Sequence, residues 1–409
     1  MKFLIAAGGT GGHITPGIAI AKALKENGEE VIFIGTENGM EKDLVPNAGF
    51  DIKYIHASGL KSGLVNKLKA INDLNKGIKE CIKIIEEEKP DMCIGTGGYV
   101  TATLLMAANK IKIPSLIHES NALPGKTTSL MAKRVNEVAV GFEEAKNRLK
   151  KGNIVVTGNP NKMGLNSLTK QEAKDKIDIE GKILLIFGGS QGAKKINETI
   201  LSIIDQKLFG EYTVIYATGP KHFNEIANEL KRSNDKYEIE ENEDEILLYK
   251  ILGDINGSLT FTSSKEGINK DIKTIDSNLI DRKHPIIVKK FIYNMEEVMK
   301  ASDLVICRSG ALTCTEIAEV GVASILIPFP YAAENHQFFN AKTLENVNAA
   351  IIIEEKDLNT KLLIERINDI ILNDEQLEEM AANSKKLKID NPIGRIKEEI
   401  YNIVEKNKS

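Results

Sequence analysis

Two stretches of this chain carry residues whose types and spacing could do chemistry. The first runs Val305-Ile-Cys-Arg-Ser-Gly-Ala-Leu-Thr-Cys-Thr-Glu316. A short β-rich segment, Leu304–Cys307, feeds a Ser-Gly turn, and a helical pattern starts near Ala311. A helix start offers unpaired N–H groups at the positive end of its dipole, so it favours an anion. Glu316 lies about one turn further in, where a carboxylate can accept hydrogen bonds from two vicinal hydroxyls such as those of a ribose. One turn could therefore hold a diphosphate and a ribose. The competing reading is a βα turn with a charged helix surface, because a single such turn is a weak signal. The second stretch is Gly8-Gly-Thr-Gly-Gly-His13. An imidazole that is neutral near pH 7 suits a general base taking a hydroxyl proton, and glycines on either side of the turn expose it. A structural histidine is the alternative.

Three other motifs are decoys. Gly9-x-Gly11 lacks the third glycine of a dinucleotide fingerprint, since position 14 is Ile; a nicotinamide enzyme is disfavoured. Leu123-Pro-Gly-Lys-Thr127 resembles the end of a phosphate loop, but Ser120 stands where the first glycine belongs. No Asp-x-Asp pair occurs to hold a metal on a diphosphate, which leaves helix starts and Arg or Lys side chains to neutralise phosphate. His118 ends an apolar run and reads as a packed group. His336, at the start of a helical pattern, could offer a polar contact to a sugar.

The elements that must position these residues alternate. Phe3–Ala7 reads as a buried strand, with a helical pattern from Pro16 to about Asn27 and Gly28 as its stop. Val31–Ile34, Met92–Gly95, Ser115–His118, Val135–Val140 and Ile154–Thr157 read as further strands, with a helix at about Leu74–Lys89. The scheme restarts at Lys182–Phe187 with the turn Gly188-Gly-Ser-Gln-Gly192, a helix near Lys195, and strands at Thr213–Ala217, Leu304–Cys307 and Ala323–Pro328. A helical pattern spans about Gln337 to Val347, and Asp390-Asn-Pro392 breaks the chain before a last helix, Ile393–Lys406. Strands alternating with helices predict parallel sheets. Two similar halves predict two doubly wound α/β domains, with ligands bound between the carboxyl ends of their strands. The expected limits are 1–160 plus 391–409 for one domain and 161–390 for the other. Asn234 to about His284 fits neither half; its acidic cluster and polar run read as a solvated surface insertion, with a docking role as the alternative.

Composition sets the bounds. The chain has 409 residues, 42% hydrophobic and 27% charged, with net charge −4. That is a soluble globular balance without the positive field a nucleic-acid partner needs. The four cysteines form no Cys-x-x-Cys pair, which fits a reduced compartment. The apolar N-terminal run is too short for a signal peptide, and no run reaches the ~18 apolar residues needed to span a bilayer. Leu64, Val65, Leu68 and Ile71 flanked by Lys61, Lys67 and Lys69 make either an ordinary amphipathic helix or a membrane-surface patch.

In combination these motifs resemble the MurG family. The resemblance is carried by Ala7-Gly-Gly-Thr-Gly-Gly-His13, Gly97-Gly-Tyr99, His118-Glu-Ser-Asn121, Gly188-Gly-Ser-Gln-Gly192, Cys307-Arg-Ser-Gly-Ala-Leu-Thr313 with Glu316, and His336-Gln337 with Asn340. It covers the chain except the insertion. It implies the two-domain GT-B fold and an inverting transfer of GlcNAc from UDP-GlcNAc to the muramyl 4-hydroxyl of lipid I. The product would be lipid II, made by a peripheral enzyme on the inner face of the cytoplasmic membrane. It implies no cofactor and no metal. On this resemblance the second domain holds the donor. Ser190 would contact phosphate, Arg308 the phosphate and sugar region, Ala311, Leu312 and Thr313 the diphosphate and sugar, and Glu316 the ribose. His336 and Gln337 would meet GlcNAc hydroxyls, and the Ile292 backbone would meet uracil. Thr10, Gly11, Gly12 and Asn121 are further expected donor contacts. Gly97, Gly98 and Tyr99, with the Thr10–His13 turn, would face the acceptor diphosphate.

Two departures stand out. The family pattern Asn-Pro-Val-Arg, whose arginine is a donor contact, reads Asn159-Pro-Asn-Lys162 here; Lys162 is the expected donor contact in its place, keeping the charge and losing the bidentate fork. The family's link across 234–284 is also much shorter. A GT-B enzyme with another acceptor, or a nucleotide-sugar sensor without turnover, are the remaining functional alternatives.

Overall fold

In the computed structural model, residues 1–58, 64–160, 168–189, 192–233, 236–252, 260–261, 273–274 and 280–408 are described, with 64–71, 233, 260–261 and 273–274 as backbone only. The first sheet contains β1 (Lys2–Ala6), β2 (Glu30–Gly35), β3 (Asp51–Tyr54), β4 (Met92–Gly95), β5 (Ser115–Glu119), β6 (Glu137–Val140) and β7 (Ile154–Val156). Its order is β3-β2-β1-β4-β5-β6-β7, and every pairing is parallel. The central strands are buried along their length because helices cover both faces. One face packs Leu4, Ile34 and Val138 against Leu104 and Ile85; the other packs Phe3, Ile5 and Phe33 against Ile20 and Leu24.

The second sheet is built from β8 (Ile183–Phe187), β9 (Thr213–Ala217), β10 (Tyr237–Glu241), β11 (Glu245–Ile251), β14 (Ile280–Lys289), β15 (Leu304–Cys307), β16 (Ala323–Leu326) and β17 (Ala350–Ile352). Its order is β10-β11-β14-β9-β8-β15-β16-β17. β12 (Thr260–Phe261) and β13 (Lys273–Thr274) pair only with each other. The last helix, Pro392–Lys408, returns to the first domain: Ile396, Ile400, Ile403 and Val404 join its core, and Asn27 donates to the Tyr401 hydroxyl at 3.1 Å.

The flanks of the segment read as a solvated insertion are part of the second sheet. β10 and β11 form an antiparallel hairpin, and β11 pairs antiparallel with β14, which pairs parallel with β9. Tyr237, Ile246 and Leu248 are buried in the domain core. The acidic run misled because it alternates with apolar residues: Ile239, Ile246 and Leu248 face inward while Glu238, Glu240 and Glu243 face water. Two further strands, β3 and β17, were not anticipated; both are short edge strands. The first helix begins at Gly11, not Pro16, so His13 sits in a helical first turn rather than in the loop before it.

Candidate active site

The described site residues lie toward the carboxyl ends of the parallel strands of both sheets, where strands give way to helices. In the first domain β1 leads through Ala7–Thr10 into the Gly11–Glu26 helix, and β4 leads through Thr96-Gly97 into the Gly98–Lys110 helix. Neither N-cap, Thr10 or Gly97, supplies a side-chain capping bond. Backbone N–H groups at both starts are thus left for a ligand, and their position favours an anion. The two turns touch. Gly97 and Gly98 have φ of 116° and 84°, values that favour glycine. A Cβ at Gly97 would collide with the His13 ring, and one at Gly98 with the Gly8 carbonyl. The Thr96 hydroxyl donates to the His13 carbonyl at 2.8 Å. Thr10 and Gly12 are exposed; Gly11, Gly98 and Tyr99 are half-buried.

The His13 Nδ1 lies 3.2 Å from the Gly8 carbonyl oxygen, with the Thr10 hydroxyl at 3.4 Å. The carbonyl can only accept, so Nδ1 carries the proton and Nε2 keeps its basic lone pair. Burial pushes the His13 pKa down, the nearby Glu119 pulls it up, and His336 from the second domain pushes it down again. The net lowering keeps the ring neutral at pH 7. His118 is fully buried, with Nε2 3.1 Å from the Gly158 carbonyl, as its packed reading required.

In the second domain Gly310 caps the Ala311–Val320 helix without a side-chain bond, so this N-terminus is also free. Ala311, Leu312 and Thr313 are half-buried in its first turn. Glu316 follows on the same helix, and burial first, then Glu296 and Glu319, push its pKa up to about 7. No described side chain or backbone group donates a hydrogen bond to it. Ile292 has its side chain in the core, so its backbone is the part left for contact; Phe291 and Tyr293 beside it are exposed, rings 5.1 Å apart.

Arg308 and Gln337 are engaged with protein. The Arg308 guanidinium donates to the Ile327 and Pro328 carbonyls at 3.1 Å each and pairs with Glu355, and it sits over the Phe329 ring. It holds the loop after β16. The Gln337 side-chain oxygen accepts from the Phe329 N–H at 2.9 Å. His336 opens the His336–Glu345 helix, with Nε2 3.5 Å from Glu334, which itself pairs with Lys126 of the first domain at 3.0 Å. Ser190 and Lys162 lie outside the described residues, as do the side chains of the Leu64–Ile71 patch, whose backbone is the start of the Leu64–Glu88 helix.

Three side chains that organise the site had no assigned role in the sequence. Fully buried Asn340 spans the domains: its amide donates to the Ser309 carbonyl and to Asn121 Oδ1 at 3.2 Å each, and its oxygen accepts from the Ala122 N–H at 2.9 Å. Asn159 does the same nearby, donating to the Ser120 carbonyl at 3.1 Å and to Thr315 Oγ1 at 2.9 Å. Glu119 accepts from the Asn121 and Gly125 N–H groups, the Asn121 amide and the Thr128 hydroxyl, at 2.6–3.1 Å. It thereby fixes the loop that meets Asn340. Their only sequence signal was membership of the motifs His118–Asn121, Asn159–Lys162 and His336–Asn340.

Two doubly wound domains whose helix starts face each other, one carrying an imidazole and the other a carboxylate one turn beyond its helix start, make up the GT-B fold. The glycosyltransferase family 28 N-terminal domain matches residues 3–140, and the family 28 C-terminal domain matches 183–250 and 265–396. A relative from Acetivibrio thermocellus is 38% identical over 416 residues, covering 100% of both chains. One from Bacillus subtilis is 34% identical over 413 residues, again covering 100% of both. Both are named UDP-N-acetylglucosamine--N-acetylmuramyl-(pentapeptide) pyrophosphoryl-undecaprenol N-acetylglucosamine transferase. The crystal structure of Acinetobacter baumannii MurG superposes with a TM-score of 0.72 at 26% identity, over 98% of this chain and 99% of that one. This chain belongs to the MurG family.

Proposed function

We infer that this protein transfers GlcNAc from UDP-GlcNAc to the 4-hydroxyl of the muramyl pentapeptide of lipid I, with inversion, forming lipid II. The observation that carries the reading is the facing pair of surfaces: backbone helix starts with His13 on one domain, a free helix start with Glu316 on the other. We place the acceptor on 1–160 plus 391–409 and the donor on 161–390. The Gly11–Gly12 and Gly98–Tyr99 helix starts bind the acceptor diphosphate. The donor diphosphate lies over the Ala311 helix start, Glu316 accepts from the ribose hydroxyls, and the Ile292 backbone meets uracil. His336 and Gln337 reach GlcNAc hydroxyls, and Arg308 contributes through the Phe329 loop it anchors.

In the step itself the acceptor hydroxyl gives its proton to His13 Nε2 and its oxygen forms the new bond to C1 of GlcNAc. The bond from C1 to the diphosphate breaks and its electron pair leaves with UDP. A neutral imidazole with a free Nε2 is in the right state to accept that proton. Among the described residues no helix is long and apolar enough to cross a membrane. The lipid-linked acceptor places the enzyme, in this reading, as a peripheral protein on the inner face of the cytoplasmic membrane. The test follows UDP release with lipid I against soluble muramyl acceptors. UDP release that needs a lipid-linked muramyl acceptor supports the reading; equal turnover on unrelated sugars would replace it with a GT-B enzyme of another specificity.

A further inference from the structure

The glycine turn beneath His13 is braced from behind by a buried carboxylate. Glu41 opens the short Glu41–Asn47 helix after β2 and is wholly inaccessible to solvent. Its Oε1 accepts from the Thr36 N–H at 3.1 Å and from the Thr36 hydroxyl at 2.8 Å. Its Oε2 accepts from the Gly9 N–H at 3.3 Å. All three partners are neutral donors, so the carboxylate is solvated by dipoles and not by a counter-ion. The fit is close: a Cβ at Gly8 would stand 3.0 Å from Oε1, and one at Gly39 would overlap the carboxylate.

The Gly9 N–H and the Gly8 carbonyl are the two ends of one peptide group. The carbonyl end accepts from His13 Nδ1 at 3.2 Å. Carboxylate, peptide and imidazole therefore stand in series. A carboxylate on the N–H of a peptide draws electron density toward its carbonyl oxygen, and hydrogen bonds in such a chain reinforce one another in a dry interior. We propose that Glu41 is a positioning residue for transfer: acting through the Gly8–Gly9 peptide, it holds His13 with Nδ1 protonated and makes Nε2 a stronger base. The proposal rests on the reading of His13 as the base. Other groups also face this ring. Glu119 comes from the end of β5, His336 from the second domain with Glu334 and Lys126 behind it, Thr10 from the same turn, and Tyr99 lies against Gly9. None of them is altered by substitutions at Glu41 or Thr36.

The experiment titrates His13 by NMR in the full-length protein labelled at its six histidines, assigned with H13A, and records kcat/KM for lipid I against pH. Removing the negative charge in E41Q destabilises the imidazolium, so the His13 titration should fall by about 0.5–1 pH unit. The acidic limb of kcat/KM should move down with it, and the plateau should drop about threefold to tenfold because the base is weaker. T36V removes the competing hydroxyl and concentrates the charge on Gly9, so both readouts should move up by a few tenths of a unit. A purely structural Glu41 would lower the rate in E41Q without moving either readout, and that result overturns the proposal. If E41Q fails to fold, T36V decides alone, and an unmoved His13 titration overturns it. A titration that moves while the kinetic limb stays fixed keeps the coupling but overturns His13 as the base.

Discussion

The two rims that face each other across the cleft are made of different materials. The first-domain rim is nearly all backbone. Glycines at 97 and 98 let two turns touch, both helix starts lack side-chain caps, and the one reactive side chain, His13, is neutral. The second-domain rim adds side chains to its helix start: Glu316 lies beyond it, its pKa pushed up to about 7 by burial, and Gln337 and Arg308 are tied to the Phe329 loop. Backbone N–H groups recognise an anion without regard to what carries it, which suits a diphosphate. A carboxylate that lacks donors of its own is completed only by hydroxyls brought by a ligand, which suits a ribose. The difference predicts that damage to each rim shows up in a different kinetic constant.

The largest effect is expected on the first rim. His13→Ala should lower kcat by about 10²–10⁴-fold, the usual span for general-base assistance. The KM for UDP-GlcNAc should change little, because His13 lies on the domain opposite the one proposed to hold the uridine. A variant with near wild-type kcat would make His13 structural and erase the asymmetry. On the second rim, Glu316→Gln should weaken UDP binding by roughly tenfold, or about 1.4 kcal/mol, and reduce discrimination against 2′-deoxy-UDP. Isothermal calorimetry at pH 8 checks this; unaltered affinity would move the ribose elsewhere.

Glu316 also makes a stability claim of definite sign. Its folded pKa is raised, from 4.5 to about 7. Below 4.5 both folded and unfolded forms are protonated and the group is silent. As pH rises through 4.5 to 7 the unfolded chain ionises first, so stability is lost, and it stays lost above 7. Ligand-free Glu316→Gln should therefore melt higher than wild type at pH 8 and at the same temperature at pH 4. A uniform difference at both pH values would show that the change is packing, not ionisation.

A smaller kinetic effect is expected where the rims join. Asn340→Ala leaves the Ala122 N–H and the Ser309 carbonyl without their buried partner, at about 1–3 kcal/mol for each unsatisfied group. The melting temperature should fall, and KM for donor and acceptor should both rise a few-fold, because this amide holds both rims. A change in only one KM would mean the rims are positioned independently.

How much of this was legible follows from where each signal lives. The Ser-Gly turn before Ala311, Glu316 beyond it, and the glycine turn before His13 could be read directly, since helix starts and glycine turns are local chemistry. Asn340, Asn159 and Glu41 could not be weighed, because their roles depend on partners 218, 156 and 32 residues away. The hairpin of β10 and β11 was hidden by its charges. An edge hairpin with one wet face carries enough glutamate to resemble a loop, and only its pairing with β14 shows that Tyr237 and Leu248 belong to the core.

That hairpin gives the smallest predicted effect and the finest test of the division between rims. Ile251 at the end of β11 and Ile280 at the start of β14 are direct partners across an antiparallel pairing. A pair in that relation can be joined by a short turn, so residues 253–279 can be replaced by a few Gly/Ser residues without moving either strand. Closing a shorter loop changes the entropy only logarithmically, by about 0.6 kcal/mol per halving of length. The replacement should keep the melting temperature or raise it slightly and leave UDP affinity within about twofold, a difference near 0.4 kcal/mol. Removing 234–284 instead deletes β10 and β11 and strips cover from Val288 and Tyr216. That larger deletion should be grossly destabilised, and the pair of variants separates core from surplus within one segment. The informative failure is a short-loop protein that is folded and binds UDP normally but has a raised KM for lipid I. Such a protein would show that a segment grown from the donor domain reaches the acceptor, and the two rims would then share a ligand that the comparison assigns to only one of them.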